Sequence, residues 1–335
     1  MDEQASTLVV VGASAGGVEA LTTLAGGLPE DLEAAVCVVL HLPAGAESRL
    51  AHILSRAGPL RAVQPHGEEA LARGRIYVAP PDRHLLVRGQ SVLVSRGPHE
   101  NGVRPSIDVL FRSAALSYGP RTIAVVLSGT RDDGVCGASL VGERRGCVFV
   151  QDPDDSLFAT LPTHTVARDH PDHVEALAEL APAITAAVRR LSKEAPMSEN
   201  GYEMTPETQY ATLDADVLER NGPPGNSSAF GCPECGGVLW ELDDGELPRF
   251  RCRVGHAYSA ETAVDAQGES VETALWTALR ALQERAQLSE RLAARVGAAG
   301  ARQSQTRFAE FAREAREQAE VIRRLLVGNG SGRDG

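Results

Sequence analysis

Over the first 190 residues, short uninterrupted apolar runs alternate with stretches in which apolar residues return every three or four positions. Thr7 to Val11, VCVVL at 36–40, RIYVAP at 75–80, TIAVVLS at 122–128 and GCVFVQ at 146–151 are runs of the first kind. They are rich in β-branched residues, and such runs predict strands buried on both faces. Helical spacing covers 18–28, 47–56, 105–118, 134–144 and 173–190. HLLV and SVLV flank Arg88-Gly89-Gln90 and predict a hairpin. The alternation predicts an α/β fold, a mostly parallel doubly wound sheet with one antiparallel excursion near 84–95. In such a sheet the functional loops lie beyond the carboxyl ends of the strands.

The texture changes after about residue 191. Residues 192–229 are rich in Pro, Gly, Ser, Asn and Glu and read as a loosely packed linker carrying a short helix or extended arm. Residues 230–258 hold a cluster of cysteines. Residues 259–335 return to helical spacing, with apolar positions at Val271, Leu275, Ala278 and Leu282 and again from Phe308 to Leu325. The break at Gly297 to Gly300 allows a helical hairpin or one interrupted helix, and the extreme end reads as disordered. The domain reading is therefore 1–191, 192–229, 230–258 and 259–335. The helical stripe has too little apolar material to form a core alone, so it predicts packing on a neighbour or a homodimer.

Charge narrows the partners. A formal net charge of -12 argues against a nucleic-acid surface, the one local basic strip being Arg249, Arg251 and Arg253. No basic leader with an apolar core opens the chain, and no apolar span is long enough for a membrane helix, so a cytoplasmic protein without membrane insertion is expected. Cys37, Cys136 and Cys147 sit in or beside apolar segments, whereas Cys232-x-x-Cys235 and Cys252-x-x-x-His256 form two short pairs. Four soft or borderline ligands in two pairs suit a closed tetrahedral zinc site on a small ribbon, structural rather than catalytic.

The remaining chemistry lies on three loops. Gly12-Ala13-Ser14-Ala15-Gly16 follows the first strand and fits the G-x-S-x-G form of a nucleophile elbow, although a plain turn with a serine near a helix cap has the same composition. His41 follows VCVVL directly, and Asp132 and Asp133 follow TIAVVLS on a glycine-bounded loop. A serine, a histidine and a carboxylate, each at the carboxyl end of a strand, predict serine hydrolase chemistry, in which an activated serine needs a base and the base an orienter.

The stretches VVVGASAGGVEAL, VVLHLPAG, RIYVAPPDRHLLV, RPSIDVLFRSAA, VVLSGTRDDGVCG and VQDPDDSLFATLP resemble the catalytic domain of the CheB-type protein-glutamate methylesterases over about residues 7–190. The resemblance implies Ser14 as nucleophile, His41 as base and Asp133, rather than Asp132, as orienter. It also implies an oxyanion donor near Thr130, joined by amides of the Ser14 turn such as that of Ala15. Arg104 is a weaker candidate for a substrate loop, and His84 for a hairpin boundary. The implied reaction is hydrolysis of glutamyl methyl esters on the helices of a chemoreceptor-like protein, with glutamine deamidation through the same acyl-enzyme. No cofactor is needed for either reaction. Two departures stand out: the similarity begins near the first residue, without the receiver domain that usually precedes it, and a cysteine module and helical region follow it. An adaptor that uses the fold to bind a helical signalling partner is the alternative.

Overall fold

The computed structural model describes residues 4–43, 45, 48–193, 205–212, 222–242 and 248–329. The chain divides into two compact units, Met1–Ala263 and Val264–Gly335.

The first unit is built on a sheet of seven parallel strands, β1 (Thr7–Ala13), β2 (Ala34–Leu40), β3 (Arg61–Val63), β5 (Arg75–Val78), β8 (Thr122–Val126), β9 (Cys147–Gln151) and β10 (His173–Glu175). Their spatial order is β10-β9-β8-β1-β2-β5-β3. Side chains alternate across this sheet. Val9, Val11, Val36, Val38 and Val125 face α1 (Gly17–Gly27), α2 (Leu50–Ala57) and α6 (Leu177–Ser192). Leu8, Val10, Cys37, Val39 and Val126 face α3 (Ile107–Tyr118), α4 (Val135–Glu143) and α5 (Thr160–Asp169). The second face also receives the hairpin β6 (His84–Arg88) and β7 (Ser91–Ser95), to which β4 (Glu68–Ala70) adds a third antiparallel strand. The chain runs outward from β1 through β2 and β5, then crosses back to β8, so the order reverses between β1 and β8. At such a switch point the loops after neighbouring strands diverge and leave a crevice.

Three features differ from the sequence expectation. Thr160–Asp169 is helical although its polar, threonine-rich sequence shows no periodic stripe; Leu161, Pro162 and Thr165 are buried. Residues 173–175 form the edge strand β10, and helix begins only at Leu177. Within the segment read as a loose linker, α7 (Pro206–Tyr210) is firmly seated: Thr208, Tyr210 and Ala211 are buried. Its capping threonine, Thr205, accepts a hydrogen bond from the Thr208 amide.

The first unit also includes a four-stranded antiparallel ribbon, β11 (Asn226–Gly231), β12 (Val238–Leu242), β13 (Arg249–Cys252) and β14 (Ala257–Tyr258). In the second unit α8 (Ala260–Ala298), which begins in the first, is followed by α9 (Arg302–Asn329). The two helices fold back on one another, with the Arg285 guanidinium 5.9 Å from the Phe311 ring and an Arg316–Glu290 ion pair. Ala312, Ala315 and Ala319 are buried, as are Leu279, Ala286 and Ala293. The sequence-predicted disordered end, 330–335, lies outside the described residues. Among the described residues no helix is long and apolar enough to cross a membrane.

Candidate active site

The turn after β1 brings Ser14 to the crevice. Gly16 holds φ 72°, and a Cβ there would lie 2.8 Å from Ser128 Oγ, so the turn requires glycine on both counts. Ser14 N donates to Ser128 O (3.0 Å), which fixes the elbow to the end of β8. His41, directly after β2, is held by its own amide, which donates to Ala13 O (3.2 Å). Asp133 lies on the loop between β8 and α4.

The three side chains are in register. His41 Nδ1 lies 3.2 Å from Ser14 Oγ, and His41 Nε2 lies 2.8 Å from Asp133 Oδ2. With the proton on Nε2, donated to the carboxylate, the lone pair of Nδ1 faces the serine hydroxyl. Asp133 is 2% exposed. Burial acts to raise its pKa, but hydrogen bonds from His41, the Ile107 amide and Asn101 outweigh it and hold the carboxyl below the usual range. Ile107 N donates to Oδ2 (2.7 Å), while Ser106 Oγ (2.7 Å) and Asn101 Nδ2 (2.8 Å) donate to Oδ1. Ser106 caps α3, so the positive end of that helix points at the charge. Asp132 takes another course. It is half-buried beside Ser259, and its Oδ1 is buried without a hydrogen-bonding partner among the described residues.

The other sequence-predicted residues are spread around this centre. The amides of Ala15 and Thr130 make no hydrogen bond to described residues, whereas that of Ser14 is already used. Arg104 is tied down, its Nε donating to Asp82 Oδ1 (2.9 Å) and its Nη1 to Gly97 O (2.7 Å). Buried His84 donates from Nε2 to Pro98 O (2.8 Å) and accepts from Ser106 N at Nδ1 (3.2 Å). That arrangement needs the neutral ring, and burial lowers its pKa to about 4. The rim carries Leu157 and Phe158, both exposed, beside the serine turn; the Leu157 side chain approaches Gly16, and Phe158 O accepts from Gly129 N (2.9 Å).

Sequence reasoning assigned no role to Asn101, Ser106 or Asp108. Ser106 and Asp108 stand inside RPSIDVLF, where a serine before a helix is a recognisable cap. Asp108 is buried, accepts from Gly137 N (2.7 Å) and Asn101 Nδ2 (2.8 Å), and has its pKa raised to about 7 by burial and by the neighbouring Asp133. Asn101 carried no local signal at all.

The family model described as CheB methylesterase matches residues 9–184. The chain belongs to the CheB methylesterase family. A protein-glutamate methylesterase/protein-glutamine glutaminase of Methanosarcina mazei is 36% identical over 190 residues, which cover 54% of this chain and 52% of that protein. A putative protein of the same description from Leptospira interrogans is 33% identical over 174 residues, covering 52% of this chain and 90% of the relative. The crystal structure of the Thermotoga maritima CheB methylesterase catalytic domain superposes with a TM-score of 0.52 at 29% identity, covering 54% of this chain and 98% of that one. The match to the Methanosarcina relative spans about half of that protein's length.

The cysteine module lies on the ribbon. Cys232, Cys235, Cys252 and His256 bring one ligand atom each within 4.8 Å of one another. Three edges of the cluster are 3.7 Å for Cys235 Sγ to Cys252 Sγ, 3.7 Å for Cys232 Sγ to His256 Nδ1 and 3.6 Å for Cys252 Sγ to His256 Nδ1. Tetrahedral zinc with Zn–S near 2.3 Å and Zn–N near 2.0–2.1 Å requires edges of about 3.5–3.8 Å. The donor set therefore fits the ion. Two turns frame it, Gly236 N donating to Cys232 O (2.8 Å) and Gly255 N to Cys252 O (2.9 Å), and His256 Nε2 lies 3.2 Å from Glu234 Oε2.

Proposed function

We propose that this protein is a serine esterase that hydrolyses glutamyl methyl esters on a helical protein substrate of the chemoreceptor kind. The hydrogen-bonded chain from Ser14 through His41 to Asp133 carries the reading. In the reaction His41 Nδ1 takes the hydroxyl proton as Ser14 Oγ attacks the ester carbonyl. His41 then returns that proton to the leaving methoxide, giving methanol and an acyl-serine. Water attacks the acyl group, again with His41 as base, and glutamate is released. Asp133 stays ionised and fixes the imidazole tautomer. The amides of Ala15 and Thr130 supply the oxyanion donors, an arrangement worth about 10²–10³ in rate per donor. A glutamine side chain would form the same acyl-enzyme with ammonia as leaving group, which makes deamidation a second activity of the site.

Exposed Leu157 and Phe158 offer an apolar rim for one face of a substrate helix. An adaptor role is not favoured: binding a helix does not require a buried, ionised carboxylate aimed through an imidazole at a serine. The nucleic-acid reading also weakens, because Arg251 is buried and Arg249 is paired with Glu207. We assign structural zinc to Cys232, Cys235, Cys252 and His256, whose four positions leave none open for catalysis. Methanol release from a methylated chemoreceptor fragment tests the esterase. Wild type is expected to release it and Ser14→Ala to fall to background, whereas equal release by both would refute the assignment.

A further inference from the structure

The ribbon does more than follow the catalytic sheet in sequence. Its last strand, β14, continues onto the segment 99–101 of the α/β layer: Asn101 N donates to Ala257 O (2.7 Å), and Ala257 N donates to His99 O (3.2 Å). The Asn101 side chain then divides between the two regions. Its Oδ1 accepts from Ser259 N (2.9 Å) and Thr262 Oγ1 (3.2 Å), both just beyond the ligand His256. Its Nδ2 donates to Asp133 Oδ1 and Asp108 Oδ2, each at 2.8 Å. Every hydrogen-bonding site on this amide is thus either committed to the carboxylates or anchored by the ribbon, and the residue is 6% exposed.

The anchoring segment is rigid only if the ribbon is. Ser259 caps α8, its Oγ accepting from Thr262 N (3.1 Å). Gly255, at φ 106°, lets the loop between Cys252 and His256 lie against Pro98, where a Cβ would come within 2.8 Å of the proline ring. Beside Asn101, Glu100 accepts from Arg112 Nη2 (2.9 Å) and from Arg251 Nη2 of β13 (3.1 Å), and Arg251 Nη1 donates to Gly255 O (3.0 Å). The metal ligands Cys252 and His256 stand between these two attachments, Arg251 and Ser259.

We propose that Asn101 is a positioning residue through which the metal-bound ribbon sets the orientation of the triad carboxylate, so that the cysteine module is a working part of the active site. The inference rests on the zinc assignment and on the esterase reading above. With the ribbon folded, Asn101 Nδ2 compensates part of the Asp133 charge and fixes its plane, which in turn aligns His41. With the ribbon melted, Oδ1 of Asn101 loses both donors and the side chain is free to turn. The ionisable groups around Asp133 are His41 and Asp108 in contact, Asp132 adjacent, and His84 behind Ser106.

The test uses the full chain, loaded with Zn²⁺ or stripped with a chelator, and reads His41 by imidazole NMR across pH. Metal content and hydrogen exchange over 249–258 are measured alongside, as is the rate of Ser14 labelling by a fluorophosphonate. Stripping should move the His41 midpoint up by about half a pH unit, because a less compensated Asp133 holds the imidazolium more tightly, and slow labelling at pH 7 about three- to tenfold. Asn101→Gly, which keeps the positive φ of 55° accessible, should show that shift with metal bound and no further change on stripping. Thr262→Val, the milder variant, should shift in the same direction by less. Three results overturn the inference: less than about one metal per chain, a melted ribbon with an unmoved His41, or an Asn101→Gly protein that responds to stripping as wild type does. A His41 that responds in a chain whose Ser14 takes no phosphonate would support this inference while sinking the esterase reading.

Discussion

In β1, β2, β8 and β9 every residue is buried, whereas β11 of the ribbon has five exposed residues of six. The sheet holds its shape by aliphatic burial on both faces, each fully buried Val or Leu contributing roughly 1.5–3 kcal/mol. The ribbon buries few apolar side chains, Leu239, Ala257 and Tyr258 among them, and depends instead on its ligand set and on ions. Arg251, Arg249 and Arg112 meet Glu100 and Glu207 across its seam with the sheet unit. Burial acts to raise both carboxyls, but the arginines outweigh it and hold them below the usual range. The difference teaches that the two regions are secured by different forces: hydrophobic burial places Ser14 and His41, donors of the α/β layer hold Asp133, and polar contacts across the seam hold its neighbour Asn101.

The largest expected effect lies wholly on the sheet side. Asp133→Asn should lower the rate of Ser14 acylation by about 10³–10⁴, because the wrong imidazole tautomer faces the serine. Asp132→Asn should stay within about threefold. Comparable losses in both variants would mean that the carboxylates share the task, and the contrast between regions would blur at its centre.

Next comes the seam. Arg251→Met removes a buried charge that faces two carboxylates, and breaking such a pair costs about 3–4 kcal/mol even with Arg112 and Arg249 still present. Hydrogen exchange should show that loss over β13 and β14 and not over β1, β2 and β8. Uniform loss across both regions would show one cooperative unit rather than two differently held ones.

The smallest effect is one of pH. The His84 ring is kept neutral, its pKa lowered from 6.5 to about 4 by burial. In acid the unfolded chain takes up this proton before the folded one, so stability is fully present above pH 6.5 and falls as pH drops from 6.5 toward 4. The shift corresponds to roughly 3 kcal/mol. Asp108, raised to about 7, acts in the opposite sense over much of that window, so the comparison of wild type with His84→Gln isolates the histidine. Urea unfolding at pH 7.5 and 4.5 reads the difference; an equal acid response in both proteins would exclude His84 as its source.

The catalytic loops were legible because each follows a long β-branched run, and a parallel sheet delivers residues after such runs to one edge. Ser14, His41 and Asp133 need only that rule to be gathered. The helix at 160–169 escaped because three threonines and Pro162 leave no stripe, and the three-residue strands at 61–63 and 68–70 are too short for any period to register. Arg251 was read only as part of a basic strip, because the carboxylates it pairs with lie 151 and 44 positions away. Asn101 was invisible for the same reason: its anchor, Ser259, is 158 residues distant, and no spacing rule spans that gap.

That contact also bears on modularity. The stretch that matches the family ends at residue 184. Yet the donors that satisfy Asn101 Oδ1 lie at the start of α8, outside the stretch that matches the family. Transplanting residues 1–191 into another protein would carry Ser14, His41 and Asp133, and would leave behind the groups that hydrogen-bond Asn101 Oδ1. In heredity as in engineering, ribbon and α/β layer would then have to travel together, and a substitution at Ser259 or Thr262 would register as a fault at Asp133, some 130 residues upstream.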